Sequence, residues 1–219
     1  MANQKMDSKH YLPRFVDRLI QKKLSYAGAV EIKGPKWCGK TQSALQHAES
    51  AVMMQDPDKR NDYQILADTK PSILLDGATP RLIDEWQEAP QLWDAVRYFV
   101  DQRDEAGQFL LTGSATPADP PSHSGAGRIA SIDMGPMSLA ESGESTGEVS
   151  LKALFEGEEI HSGHSDYDIE SMAYLICRGG WPRAVTTSDK DNALEMAFDY
   201  VTTIAEQDIS RADGVTRNP

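Results

Sequence analysis

The run Gly34-Pro35-Lys36-Trp37-Cys38-Gly39-Lys40-Thr41 places two glycines, a lysine and a hydroxyl at the spacing G-x-x-x-x-G-K-[ST]. Those residue types at that spacing suit a polyphosphate. Gly34 and Gly39 let the backbone wrap tightly, so that its N–H groups face an anion. Lys40 supplies a point charge for the β- and γ-phosphates, and the Thr41 hydroxyl suits Mg2+. A helix starting here turns its positive end toward the same anion. The expected cradle runs from Gly34 through Pro35, Lys36, Trp37, Cys38, Gly39, Lys40 and Thr41 to Gln42. Lys36, Lys40 and the helix end also favour the Cys38 thiolate, which predicts a reactive cysteine that bound nucleotide would protect.

Pro80–Glu85 reads as a short strand that ends in two carboxylates, Asp84 and Glu85. On a strand beside the loop, Asp84 would bind Mg2+ with Thr41, and Glu85 would orient and deprotonate an attacking water. Thr112-Gly113-Ser114 closes the next apolar run, and Ser114 is expected to sense the γ-phosphate.

The elements around these residues alternate. Residues 11–27 read as a helix with Leu12, Phe15, Leu19 and Leu24 on its apolar side. Residues 29–32 and 51–54 read as strands, and 57–68 as a helical connection. Leu92, Val96, Phe99 and Val100 form one helical stripe, ended by Gly107. Residues 108–112 and 129–134 read as further strands. Such alternation predicts an α/β fold, a parallel sheet flanked by helices. The expected organisation is a helical segment over 1–28, a nucleotide-binding core over 29–140, and a helical region over 141–219. Helices in that last part are expected at 150–155, 168–177 and 192–209, with Ser188 and Asp191 capping the last. Trp181, after Gly179-Gly180, reads as a packing anchor. Residues 115–128, rich in proline, glycine and serine, read as a mobile loop.

Composition bounds the partners. A net charge of −12 over 219 residues disfavours non-specific nucleic-acid binding. The basic residues Lys9, Arg14, Arg18, Lys22 and Lys23 read as a solvated helix face rather than a groove for nucleic acid. No apolar run is long enough to span a bilayer. The two cysteines make no disulfide framework, and the expected setting is a reduced cytoplasm. His161, His164 and Asp166 read as a solvated loop rather than a metal cluster.

The segments Gly34–Thr41, Pro80–Gln87, Gln108–Pro117, His123–Ile129 and Pro136–Leu151, in this order, resemble AAA-type ATPases of bacteria and archaea that carry a nuclease-like C-terminal domain of unknown function. The resemblance implies an AAA-type core, a lid or linker of helices, then the extra domain. It also implies metal, catalytic and sensor roles for Asp84, Glu85 and Ser114. Two departures stand out. The chain stops where the extra domain would begin, and Gly135 stands where the family typically has arginine.

Arg128 follows the glycine-rich loop. It reads either as structural or as an arginine that neutralises transition-state charge, in cis or from a neighbouring subunit of a homo-oligomer. The expected function is a Mg2+-dependent ATPase, binding ATP or ADP and acting as a switch or motor on a macromolecular partner. Guanine specificity is disfavoured, since no Asn-Lys-x-Asp motif occurs. A non-catalytic nucleotide switch, or the remnant of a longer ATPase, is the first alternative. A phosphate-loop kinase is the second, and Glu85 speaks against it.

Overall fold

The computed structural model describes residues 11–113, 124–159 and 165–205. The chain divides into two compact units, 1–135 and 136–219, a little ahead of the boundary expected near 140.

The first unit is built in chain order. Helix α1 (Phe15–Leu24) leads to β1 (Ala29–Lys33), α2 (Lys40–His47), β2 (Ser50–Met53), α3 (Arg60–Thr69), α4 (Ser72–Leu75) and β3 (Arg81–Asp84). A short 3-10 turn (Trp86–Glu88), α5 (Gln91–Arg103), β4 (Phe109–Gly113) and β5 (Ile129–Asp133) complete it. The strands form one sheet in the order β2-β3-β4-β1-β5, and every pairing is parallel. The central strand, β4, opens on the unbroken apolar run Phe109–Leu111, as a strand covered on both faces must, whereas β1 interrupts its apolar residues with Glu31, which accepts from the Ser131 hydroxyl. Residues 29–32 of β1 and all of β4 are buried.

Strand alternation assigns the two faces. Ala29, Ile83, Phe109 and Leu111 join Leu92, Val96 and Val100 of α5, Ala67 of α3 and Leu75 of α4 in one core cluster. The alternate residues Val30, Ile32, Leu82 and Leu110 are also buried, on the face where α1 and α2 contact the sheet. Each fully buried Leu or Val contributes about 1.5–3 kcal/mol. The α5 stripe is buried as its spacing predicts, although Phe99 is only partly covered. Helix α5 ends at Arg103 through Asp104 in the left-handed region, φ 51°, ahead of the expected Gly107.

Helix α1 departs from expectation. It is shorter, and its buried residues are Val16 and Ile20, whereas Phe15 and Leu19 are exposed.

In the second unit, Asp168 caps α7 (Ile169–Arg178) by accepting from the Ser171 N–H. Ser150 does the same for α6 (Leu151–Phe155). After α8 (Pro182–Thr186), α9 (Lys190–Thr203) is capped by Asp189, not by Ser188. Trp181 anchors this unit as expected, its ring 4.1 Å from that of Tyr200. Gly180 is required by close approach, since a Cβ there would lie 2.0 Å from the Met137 carbonyl oxygen. Buried Arg178 donates to Glu144 at 2.6 Å. Burial raises the Glu144 carboxyl, but Arg178 and Ser142 outweigh it and hold it below the usual range. Among the described residues no helix is long and apolar enough to cross a membrane.

Candidate functional site

In parallel strands all carboxyl ends lie at one edge, and this edge collects Lys33, Asp84, Gly113 and Asp133. The phosphate-loop sequence leaves β1 at that edge and enters α2 at Lys40. The turn needs its glycines. Gly39 has φ 103°, in the left-handed region. At Gly34 a Cβ would fall 2.0 Å from the Met134 carbonyl oxygen, beside the end of β5. Trp37 also has positive φ, 63°, and its side chain is exposed, as are Pro35 and Lys36. Lys40 is buried and folds over the loop, its Nζ donating to the carbonyls of Gly34 at 3.0 Å and Pro35 at 2.9 Å. Gln42 is exposed on the first turn of α2.

Asp84 joins the two halves of the site. Its Oδ1 accepts from Thr41 Oγ1 at 2.7 Å and from Thr112 Oγ1 at 2.7 Å. The register explains the second bond, because Asp84 pairs with Thr112 across β3 and β4. Burial pushes the Asp84 carboxyl above its usual range. The hydroxyls of Thr112 and Thr41 pull it down, Glu85 pushes it up, and Lys40 pulls it down. A buried carboxylate beside a hydroxyl is a hard-oxygen donor set, which fits Mg2+ held by one or two protein oxygens together with phosphate. Among the described residues no group of three or more His, Cys, Asp or Glu side chains is clustered for a metal.

Glu85 leaves the strand in the left-handed region, φ 56°, which turns its side chain off the line of β3. Its N–H donates to Thr112 Oγ1 at 3.3 Å, and its carboxylate accepts from Gln87 Nε2. Gln87 therefore orients the carboxylate expected to handle water. Among the described residues its Oε1 is buried without a hydrogen-bond partner, and it lies 2.8 Å from where a Gly113 Cβ would be. Glycine at 113 is what admits Gln87 to the strand end.

Three expectations need correction. Arg128 lies at the opposite end of the sheet, where its carbonyl accepts from the Ala29 N–H and its guanidinium pairs with Asp101 at 2.7 Å. A five-residue strand separates it from the phosphate loop, on the order of 15 Å, so Arg128 cannot act on this chain's own site. Cys38 is fully buried, its Sγ donating to the Met134 carbonyl at 3.5 Å. Burial raises its thiol despite Lys40 and the backbone donors, while Cys177 is exposed. The reactive Cys38 expected from the loop's positive field is thereby corrected, because burial outweighs that field. Arg14, expected on a solvated face, is buried and donates to the carbonyls of Cys38 and Gly135. Gly135 thus contributes backbone only, and among the described residues a Cβ there would meet nothing within 4 Å. Ser114 and the His161–His164 segment lie outside the described residues.

Gln87, Thr112 and Arg14 belong to the site without a motif that marks them in the sequence. Thr112 is signalled by its place at a strand end, beside Ser114. Arg14 and Gln87 carried no signal of their own.

An AAA domain family matches residues 27–143 of this chain. Two curated relatives, uncharacterized proteins of Mycobacterium bovis and Mycobacterium tuberculosis, are each 26% identical over 196 residues, 88% of this chain. The match spans only 38% of their length. Among solved structures, the Walker-type ATPase of Pyrococcus abyssi aligns with a TM-score of 0.51 at 13% identity, covering 93% of this chain and 76% of that one. At that identity the likeness speaks to the fold, the α/β fold of P-loop ATPases.

Proposed function

Because this chain belongs to the AAA domain family, we propose that it binds ATP with Mg2+ and hydrolyses it, as a switch or motor for a macromolecular partner. The observation that carries the reading is the contact of Thr41 with Asp84. Two motifs 43 residues apart in sequence meet at 2.7 Å at the carboxyl edge of a parallel sheet.

On this reading each residue has one task. The backbone from Gly34 to Thr41 cradles the phosphates, and Lys40 exchanges its carbonyl contacts for phosphate oxygens. Thr41 and Asp84 hold Mg2+, which neutralises charge on the β- and γ-oxygens when bound. Glu85 orients the attacking water and accepts its proton, and Gln87 fixes its carboxylate. Ser114 as γ-phosphate sensor belongs to the same proposal. An arginine from a neighbouring subunit belongs to it too, but that role is not given to Arg128, whose guanidinium is held by Asp101 at the far end of the sheet. The nuclease-like C-terminal domain implied by the sequence resemblance, and a cytoplasmic setting, also remain parts of this reading.

A non-catalytic nucleotide switch is favoured by one observation, the placement of Arg128 at the far end of the sheet. Calorimetric titration with ATP and with GTP, with and without Mg2+, tests the binding step. Tighter binding of ATP with Mg2+, lost in Lys40→Ala, supports the reading. Equal affinity in Lys40→Ala refutes it.

A further inference from the structure

We propose that Arg14 is a positioning residue for the phosphate-binding loop, setting the direction in which the loop's amides point. The proposal rests on the nucleotide-binding reading above.

Arg14 precedes α1 and is only 7% exposed. Its Nη1 donates to the Cys38 carbonyl and its Nη2 to the Gly135 carbonyl, both at 2.8 Å. A trans peptide is planar, so its C=O and N–H point in opposite directions. Holding the Cys38 oxygen against Arg14 therefore turns the Gly39 N–H to the other side of the loop, away from the guanidinium. The carbonyls of Gly34 and Pro35 are held in turn by Lys40 Nζ. A loop that binds an anion through N–H groups needs its carbonyls directed elsewhere. Arg14 does this for the residue just before Gly39-Lys40.

The residues beside Arg14 fix both it and the helix behind the loop. The Arg14 N–H donates to Asp17 Oδ2 at 2.8 Å. Tyr11 Oη donates to Asp17 Oδ1 at 2.8 Å and lies 2.8 Å from Ser43 Oγ. His47 Nε2 lies 3.3 Å from Asp17 Oδ1. Ser43 and His47 belong to α2, the helix that begins at Lys40. Burial, with Asp17, raises the Tyr11 hydroxyl, so it stays protonated and able to donate. Residues 11–17 thus grip the loop at Cys38 and the following helix at Ser43, while the second arm of Arg14 ties the loop to the end of β5 at Gly135.

The test compares wild type, Arg14→Ala and Arg14→Lys in the full chain by amide hydrogen exchange without nucleotide, then by ATP titration. In Arg14→Ala, amides of residues 36–40 should exchange at least about ten-fold faster, while α5 keeps its protection. Arg14→Lys should restore this in part, because an ammonium can meet one carbonyl where the guanidinium fork meets two. The ATP dissociation constant should rise about ten-fold or more in Arg14→Ala, with Arg14→Lys between it and wild type. If Arg14→Ala does not fold, the lysine variant carries the same comparison. Unchanged exchange in the loop, or equal acceleration in α5, overturns the proposal. Wild type that binds no ATP overturns the nucleotide reading instead, and the exchange data still decide the role of Arg14.

Discussion

Thr112→Val removes one hydroxyl from the centre of the site and leaves the shape nearly unchanged. Thr112 is fully buried, donates to Asp84 at 2.7 Å and accepts the Glu85 N–H at 3.3 Å. A hydrogen bond to a charged group contributes about 1.5–3 kcal/mol. The longer bond to Glu85 adds about 0.5 kcal/mol, near the low end for neutral pairs. The new methyl returns about 0.8 kcal/mol of apolar burial. The net expectation is a loss of about 2 kcal/mol. With a urea slope of about 1–3 kcal/mol/M, the midpoint should fall by about 1 M. Thr112→Ser is the control. It keeps the hydroxyl and loses only a methyl, about 1 kcal/mol, so serine should be the milder change. Tryptophan fluorescence in a Trp181→Phe background reports on the first unit alone, through Trp37, Trp86 and Trp93. A valine variant as stable as the serine variant, or more so, would show that Thr112 fills space and does not hold Asp84.

Three further outcomes follow from the geometry. Alkylation should label exposed Cys177 well before buried Cys38 in the nucleotide-free protein, read by mass spectrometry; faster labelling of Cys38 would contradict its burial. Arg128→Ala should leave turnover at the wild-type level at every protein concentration, since its partner is Asp101 at the far sheet end. A drop in activity that depends on concentration would restore its role toward a neighbouring subunit. Glu144 is held below its usual range in the folded chain, so its contribution is present above the ordinary carboxylate pKa and lost as pH falls through the lowered one. Glu144→Gln should therefore destabilise the second unit by about 2 kcal/mol at neutral pH and by much less in acid, followed through amide hydrogen exchange in α7 and α9. An equal loss at both pH values would remove the Arg178 pair as its cause.

The phosphate loop was legible because its chemistry fixes residue types at fixed spacing. Strand β4 was legible because a strand buried on both faces is an unbroken apolar run. What the sequence concealed depends on partners it does not display. Arg14 bonds two backbone carbonyls, 24 and 121 residues away, and a carbonyl has no side-chain signature. Helix α1 carries two apolar pairs at helical spacing, Phe15 with Leu19 and Val16 with Ile20, and periodicity cannot choose between them. The Arg14 and Asp17 contacts fix the rotation that buries the second pair. At Cys38 the positive field is real, but burial outweighs it. Arg128 could have been placed from sequence. It precedes a parallel strand, and strand starts lie opposite the edge where the phosphate loop emerges.

The most direct test of the central claim is phosphate release from ATP with Mg2+ by wild type, Lys40→Ala and Glu85→Gln, with nucleotide binding measured on the same samples. Expected is release by wild type alone, with ATP still bound by Glu85→Gln and not by Lys40→Ala. Release by Lys40→Ala at the wild-type rate, or by Glu85→Gln at the wild-type rate, would contradict it.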